Sequence, residues 1–267
     1  MSPATATSHA LKNGDFCWVE AATSDVPGAK AFYGGLFGWS AADSNNGGMD
    51  YTMLSSDGVA FGGLYGLMPE QRAQQVPPHW MPYVRVASVK DTVERARQAG
   101  GSVIVDFCEL PGTGRLAVLQ DPSGAHFSVW EAIAHEGAPA SALPGRPSWF
   151  ELMSNDRAKA LPFYGALFGW TTSDMDMGPM GTYTLFHNGG PNPVGGCMQI
   201  GPECGGMPSC WSLYFTVADC DAAAARAQQL GGKLCHGPMD VPGVGRFAFL
   251  SDPAGAMFAI IAYPAGA

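Results

Sequence analysis

The chain is short of charge. Only 14% of its 267 residues are Asp, Glu, Lys or Arg, against about a quarter in an ordinary globular protein. Cations are scarcest: 14 Lys and Arg face 23 Asp and Glu, the net charge is −9, and no basic run exists. Nucleic acid and anionic lipid both need clustered cations, so neither is an expected partner. Long apolar runs are also missing; no window approaches the roughly eighteen residues a membrane helix needs. Met1–Lys12 is rich in Ser, Thr and Ala and lacks the apolar centre of a secretory signal. The seven cysteines are odd in number and include no CxxC pair, which excludes zinc-finger spacing and argues against a disulfide framework. No Gly-rich loop opens a helix as nucleotide sites require. These absences lead to the expectation of a reduced, cytoplasmic protein, monomer or homodimer, whose partner is a small molecule.

What the chain does have is apolar content, 46% of residues. Such an excess calls for a large internal pocket, a broad domain–domain interface, or both.

It also has a repeat. Phe32-Tyr33-Gly34-Gly35-Leu36-Phe37-Gly38-Trp39 returns as Phe163-Tyr164-Gly165-Ala166-Leu167-Phe168-Gly169-Trp170, an offset of 131. The same offset carries Trp18-Val19-Glu20 onto Trp149-Phe150-Glu151, Trp80 onto Trp211, and Gly100-Gly101 onto Gly231-Gly232. It carries Pro111-Gly112-Thr113-Gly114-Arg115 onto Pro242-Gly243-Val244-Gly245-Arg246, and Asp121-Pro122-Ser123-Gly124 onto Asp252-Pro253-Ala254-Gly255. One offset held over both halves means duplication. The copies span 14–132 and 146–263, joined by an Ala/Gly/Pro-rich linker at 133–145.

Each copy divides again. Copy one opens with an apolar strand at Phe16–Ala22, and Ser24/Asp25 then cap a helix over about Pro27–Phe37 that stops at Gly38. Strands fit 51–55, 59–61 and 63–67. After a Pro-rich crossing at 76–78 the plan recurs: a strand at 81–86, a helix at 89–99 closed by Gly100-Gly101, and strands near 102–107, 114–120 and 126–131. The chain is therefore read as α+β, with four βαβββ modules. Pro162 predicts a kink in the first helix of copy two.

Paired βαβββ modules with FYxxLFGW, Gly-Gly and Gly-Arg…Asp-Pro-x-Gly in that order resemble the glyoxalase/bleomycin-resistance/dioxygenase (vicinal oxygen chelate) superfamily, in its two-domain form labelled glyoxalase-like or hydroxylase. The resemblance covers nearly the whole chain. It implies two tandem domains whose mixed sheets curl into cups, and in many members a divalent metal inside the cup that polarises or activates substrate oxygens. Carried onto this chain, the usual ligand positions fall on Trp18, Gly62 or Gly63, Met81 and Ser128 in copy one. In copy two they fall on Trp149, Gly195 or Gly196, Ser212 and Ala259. None is His, Asp or Glu, so no metal and no other cofactor is expected, whichever modules share a cup.

Strand alternation places other residues in the cups. Glu20 and Glu151 follow the tryptophans by two and share their inward face; a carboxyl in an apolar cup must be paired, metal-bound or protonated. They are candidate acid/base groups, with a plain structural role as the alternative. Arg85 is a candidate partner for Glu20, and copy two has Thr216 there. His126 shares a face with Ser128 and Trp130 and is a third acid/base candidate, or a pocket-edge histidine. His9 and His135 are expected to be solvated, and His79, His187 and His236 to be surface or structural. Trp18, Tyr83, Arg85, Trp130, Trp149, Met153, Trp211 and Tyr214 are the candidate ligand contacts, with Met53, Met81 and Met198 as adaptable walls. The repeated Pro-Gly-x-Gly-Arg reads as an anion site or as a bend into a strand.

Three functions follow from this. The chain binds a hydrophobic, aromatic small molecule in a metal-free cup; or it is a tailoring enzyme, lyase, isomerase or hydroxylase-like, that uses Glu20, Glu151 or His126; or it is a metal-dependent glyoxalase or dioxygenase with unusual ligands. The copies differ at Arg85/Thr216 and His126/Met257, so their two cups need not share one task.

Overall fold

The computed structural model describes residues 10–46, 49–178, 181–204 and 206–264; His9 lies outside them. Copy one runs β1 (Phe16–Thr23), α1 (Val26–Phe37), β2 (Ser40–Asn46), β3 (Met49–Ser56), β4 (Val59–Gly66), α2 (Pro69–Ala73), β5 (His79–Arg85), α3 (Val89–Gln98), β6 (Ser102–Leu110), β7 (Gly114–Gln120) and β8 (His126–Ala132). Copy two runs β9 (Pro147–Ser154), α4 (Arg157–Phe168), β10 (Thr171–Asp176), β11 (Thr182–His187), β12 (Pro193–Gln199), β13 (Cys210–Thr216), α5 (Cys220–Gln229), β14 (Lys233–Val241), β15 (Gly245–Ser251) and β16 (Met257–Ala262). Each copy makes one eight-stranded sheet, in the orders β2-β3-β4-β1-β5-β8-β7-β6 and β10-β11-β12-β9-β13-β16-β15-β14. The two modules of a copy thus join through their first strands, β1 antiparallel to β5 and β9 antiparallel to β13. Modules pair within copies, a point the sequence leaves open.

The expected segments are present, with the short helix α2 added before the Pro-rich crossing and three further differences. The stretches expected as strands at 59–61 and 63–67 are one strand, β4, with a register shift where it pairs with β3. The edge strand β2 (SAADSNN) was not expected; it carries no β-branched or aromatic residue, which suits an exposed edge that must not recruit other strands. The helix α4 runs unbroken past Pro162, and matches α1 in its twelve-residue length and left-handed glycine cap (Gly169 φ 72°, Gly38 φ 73°). Arg115 and Arg246 of the repeated turn are each held between two carboxylates, Glu109 with Glu131 and Asp221 with Asp240. With its cation satisfied by carboxylates of the same copy, from β6 and β8 in copy one and from α5 and β14 in copy two, that turn is a bend.

The repeated motifs have one job in common: they bind the copies to each other. Tyr33 of α1 donates to Asp252 Oδ2 (3.1 Å) in the other copy and accepts from Trp80 Nε1 (2.9 Å). Reciprocally, Tyr164 of α4 donates to Asp121 Oδ2 (2.9 Å) and accepts from Trp211 Nε1 (2.8 Å). The second oxygen of each aspartate is already taken by backbone N–H groups of its Asp-Pro-x-Gly turn, those of Ser123 and Ala125 or of Gly255 and Ala256. The helix-ending tryptophans cross over as well, Trp39 to the Gly145 carbonyl (2.7 Å) and Trp170 to that of Gly14 (2.9 Å). Gly101 and Gly232 close the contact: a Cβ on either would run into the ring of Phe163 or Phe32 of the other copy. The helices, and the sheet faces they cover, therefore share a single apolar core built from both copies. Two smaller clusters lie on the opposite sheet faces, around Trp18, Tyr83 and Trp130 in copy one and around Tyr214 and Ile261 in copy two.

The linker is tied down. Ala138 N–H donates to the Cys17 carbonyl and Gly145 N–H to that of Thr216, both at 2.8 Å. Among the described residues no helix is long and apolar enough to cross a membrane.

Because one core spans both copies, urea unfolding is expected to show one transition. Tyr33→Phe leaves a buried carboxylate oxygen and an indole N–H without their partner, and should cost about 1–3 kcal/mol. Two separate transitions in the wild type, or an unchanged midpoint in the variant, would contradict this account.

Candidate functional site

On the face of each sheet turned away from the shared core, alternation fixes what lines the cup. In copy one, Trp18 and Glu20 of β1 lie opposite Tyr83 and Met81 of β5, and Tyr83 lies opposite Ser128 of β8. Across the other edge Glu20 lies beside Gly63 of β4, which lies opposite Met53 of β3, while Tyr51 lies opposite Tyr65. Glu20, Met53, Met81 and Val118 keep partial exposure, whereas Val19, Ala21, Leu119 and Val129 on the other face are buried at 0–1%. The cup wall is open at the first four, while Trp18, Tyr83, Trp130 and Ser128 on the same face are buried at 0–6%.

The chemistry of each cup centres on a carboxyl held by two phenols. Glu20 Oε1 accepts from Tyr51 (2.7 Å) and Oε2 from Tyr83 (2.5 Å), and Tyr51 in turn accepts from Trp18 Nε1 (3.0 Å). Copy two repeats the device. Glu151 accepts from Tyr214 (2.8 Å) and Tyr183, and Tyr183 accepts from Trp149 Nε1 (2.9 Å). Burial raises the pKa of both glutamates, and the phenol hydrogen bonds oppose it. Burial and the adjacent carboxylate push all four tyrosines well above their ordinary value, so they remain hydroxyl donors. Glu151 is 7% exposed, while Glu20 is half-buried.

Tyr51 and Tyr183 were not expected from the sequence. Each ring lies over a glycine of the neighbouring strand, and a Cβ on Gly63 or Gly196 would collide with the Tyr51 or Tyr183 hydroxyl. The Gly-Gly pairs 62–63 and 195–196 were the available signal, since a strand glycine often marks a close approach by another group. The repeat offset hides the equivalence, because an insertion in copy two places Tyr183, and not Thr182, opposite Tyr51 in role.

Other expected site residues fall in different places. Trp130 packs with Trp18 and Tyr83, and its indole donates to the His135 carbonyl at 2.8 Å. Met153 lies on the cup face of β9, opposite Met198 and Cys210. Arg85 does not reach Glu20: it pairs with Glu136 of the linker, which the sequence leaves without a partner. Trp211 is not a cup residue. It lies three positions from Tyr214, hence on the opposite face, buried in the shared core against Phe16 and Tyr164. His126 is exposed at the mouth of the first cup, and its pKa is lowered by partial burial and by the nearby His79. His135, expected in solvent, stands edge-on to Trp18 with ring centroids 4.5 Å apart, and so covers the linker side of that cup. A broad depression of about 780 Å³ is lined by α1, β2, β3 and the turn from β4 into α2; it includes Tyr51, with the Lys30–Asp43 ion pair and Asp50 as its charged residues.

The residues do not fit a divalent metal of the expected kind. The ligand positions bring tryptophan, glycine, methionine, serine and alanine, and the glycine positions cannot carry a side chain beneath the tyrosine rings. Among the described residues no three His, Cys, Asp or Glu come together to hold an ion.

The raised glutamates have a consequence for stability. Below the ordinary carboxylate range they are protonated whether folded or unfolded; above it the unfolded chain releases its protons first, so their contribution to stability falls as pH rises. The melting temperature of Glu151→Gln minus that of wild type should therefore increase from about pH 4 to about pH 8. A difference constant across that range would mean that Glu151 ionises as it does in water.

Comparison with known proteins agrees with this architecture. Residues 146–260 match the model of the glyoxalase/bleomycin resistance protein/dioxygenase superfamily, and 18–130 match that of a glyoxalase-like domain. The chain is 37% identical over 246 residues to CFP32 of Mycobacterium tuberculosis, provisionally named a glyoxylase, covering 91% of this chain and 93% of the relative. It is 35% identical over 267 residues to the anthracycline biosynthesis protein DnrV of Streptomyces peucetius, covering 94% and 95%. Among solved structures, the Mn(II)-bound glyoxalase of Novosphingobium aromaticivorans superposes with a TM-score of 0.66 at 16% identity, over 94% of this chain and 82% of that one. A 4-hydroxymandelate synthase variant of Streptomyces coelicolor gives 0.60 at 14% identity, over 95% and 93%. With both halves matched, and relatives of this similarity aligned almost end to end, the chain belongs to the glyoxalase/bleomycin resistance protein/dioxygenase superfamily.

Proposed function

We propose that this protein binds a flat, hydrophobic aromatic molecule in its cups without a metal, a tyrosine-held glutamate standing beside the positions where other members place metal ligands. The observation that carries this reading is the position of the Tyr51 and Tyr183 rings over Gly63 and Gly196, which gives the ligand position to a phenol. Accessible Trp149, Met53, Met81 and Met153 offer an apolar, polarisable wall to a planar ring system. Two curated relatives are named for anthracycline biosynthesis, and anthracyclines are built on planar fused rings. Cys17, Cys108, Cys197, Cys210, Cys220 and Cys235 form no disulfide, consistent with a cytoplasmic setting.

A second reading, a tailoring enzyme of lyase, isomerase or hydroxylase-like type, is favoured by one feature. A half-buried carboxyl whose pKa is raised by burial, flanked by two phenols, is equipped to take or give a proton.

Fluorescence titration with a fused-ring aromatic is expected to quench tryptophan, with the affinity unchanged after exhaustive chelation. A Trp149→Leu variant should bind about 3- to 10-fold more weakly, the loss expected for one aromatic contact. Dependence of binding on a stoichiometric metal would overturn the metal-free reading. Where turnover of a bound aromatic is found, Glu20→Gln or Glu151→Gln should reduce it by about 100-fold or more; unchanged turnover in both ends the carboxylate mechanism.

A further inference from the structure

The duplication makes each cup a control for the other. Both keep the chain Trp–Tyr–Glu–Tyr with matching partners. Around that shared centre they diverge. Where copy one has Val118, His126 and Ser128, copy two has Phe249, Met257 and Ala259. In copy two Phe249 stands edge-on to Tyr214 with centroids 5.7 Å apart, so hydrocarbon closes over the phenol that holds Glu151. In copy one the same space is walled by the smaller Val118, and Glu20 stays half-buried.

Ser128 marks the difference most sharply. It lies directly opposite Tyr83 on the parallel strand β8, on the cup face, and is 0% exposed. Its hydroxyl has no hydrogen-bond partner within the protein. A buried hydroxyl without a partner is costly, and the cost is recovered when a ligand oxygen meets it. The register neighbour of Ser128, Tyr83, carries the phenol that donates to Glu20, the polar centre that both cups share. In copy two Ala259, also 0% exposed, offers no hydroxyl opposite Tyr214; the buried hydroxyl without a partner in that copy is Thr216, two residues further along β13 opposite Ile261.

We infer that the two cups differ in the oxygen chemistry they accept opposite Tyr83 and Tyr214: the first takes an aromatic bearing a hydroxyl or keto oxygen there, received by Ser128, while the second presents only Ala259 and Phe249 at that place. This rests on the aromatic-binding reading above, and assigns to one cup the recognition of oxygen substituents. Discrimination of this kind is strong where the site's own polar group would otherwise stay unpaired, because the unsubstituted ring leaves it so.

The test uses the full-length protein with two probes, 1,8-dihydroxyanthraquinone and anthracene, followed by tryptophan quenching and by equilibrium dialysis for stoichiometry. In the wild type, dihydroxyanthraquinone is expected to occupy one site about tenfold more tightly than the other, and anthracene to show no such split. Ser128→Ala, which removes only the hydroxyl, should weaken the tight dihydroxyanthraquinone site about tenfold more than it weakens anthracene; a thermal melt checks that the variant is folded. Phe249→Leu, in the second cup, should leave the tight site in place. Equal loss for both probes in Ser128→Ala, or a tight site that disappears in Phe249→Leu, overturns the division while leaving aromatic binding intact. Failure of the wild type to bind either probe overturns the binding reading and the division together.

Discussion

Much of this structure depends on a tyrosine hydroxyl of one copy resting on the buried turn aspartate of the other, made twice. Each aspartate divides its two oxygens between holding its own turn and receiving the foreign tyrosine, so local turn geometry and domain docking are coupled. Such a carboxylate is tolerable in a core only while every partner is present. The crossing tryptophans, and the glycines pressed against Phe32 and Phe163, extend the same reciprocal contact. With helices and sheet backs committed to a common core, the opposite sheet faces are what remains for a ligand.

Those faces repeat the economy of the core in a different form. A glutamate is kept in an apolar cup by two phenols, one of which is itself fixed by an indole. The phenols are donors, so they stabilise the carboxylate, but burial outweighs them and the group holds its proton above the usual range. A fixed carboxyl among aromatic rings suits recognition of a polarised aromatic better than it suits coordination, which would need several converging anionic or imidazole donors. Copy one leaves this centre partly open to solvent and copy two covers it, so a shared scaffold supports two environments.

The legibility of the site followed the range of the interactions. Strand alternation is local, and it placed Trp18, Glu20, Tyr83, Trp130, Trp149, Glu151, Met153 and Tyr214 on the cup faces. It also separates Trp211 from Tyr214 by an odd number of positions, so the same rule, applied strictly, removes Trp211 from the cup. Arg85 shows the limit of facing: a side chain on the right strand and face found Glu136 of the linker, a partner that no periodicity marks. His135 is similar, since only docking of the linker brings it against Trp18. The strand β2 escaped notice because edge strands avoid the residues by which strands are recognised.

The sequence by itself determined the duplication, the βαβββ modules and the helix caps, since all of these are written in local spacing and in one constant offset; the positions at which ligating residues are missing came from the family resemblance. Tertiary structure alone decided that modules pair within a copy, that FYxxLFGW and Asp-Pro-x-Gly are partners across the copies, and that Tyr51 and Tyr183 complete the cups. The physical reason is the same in each case. Hydrogen bonds between residues tens to hundreds of positions apart, such as Tyr33 with Asp252 or Tyr51 with Glu20, are set by which apolar faces are buried together. That choice is made by the whole chain and not by any segment of it.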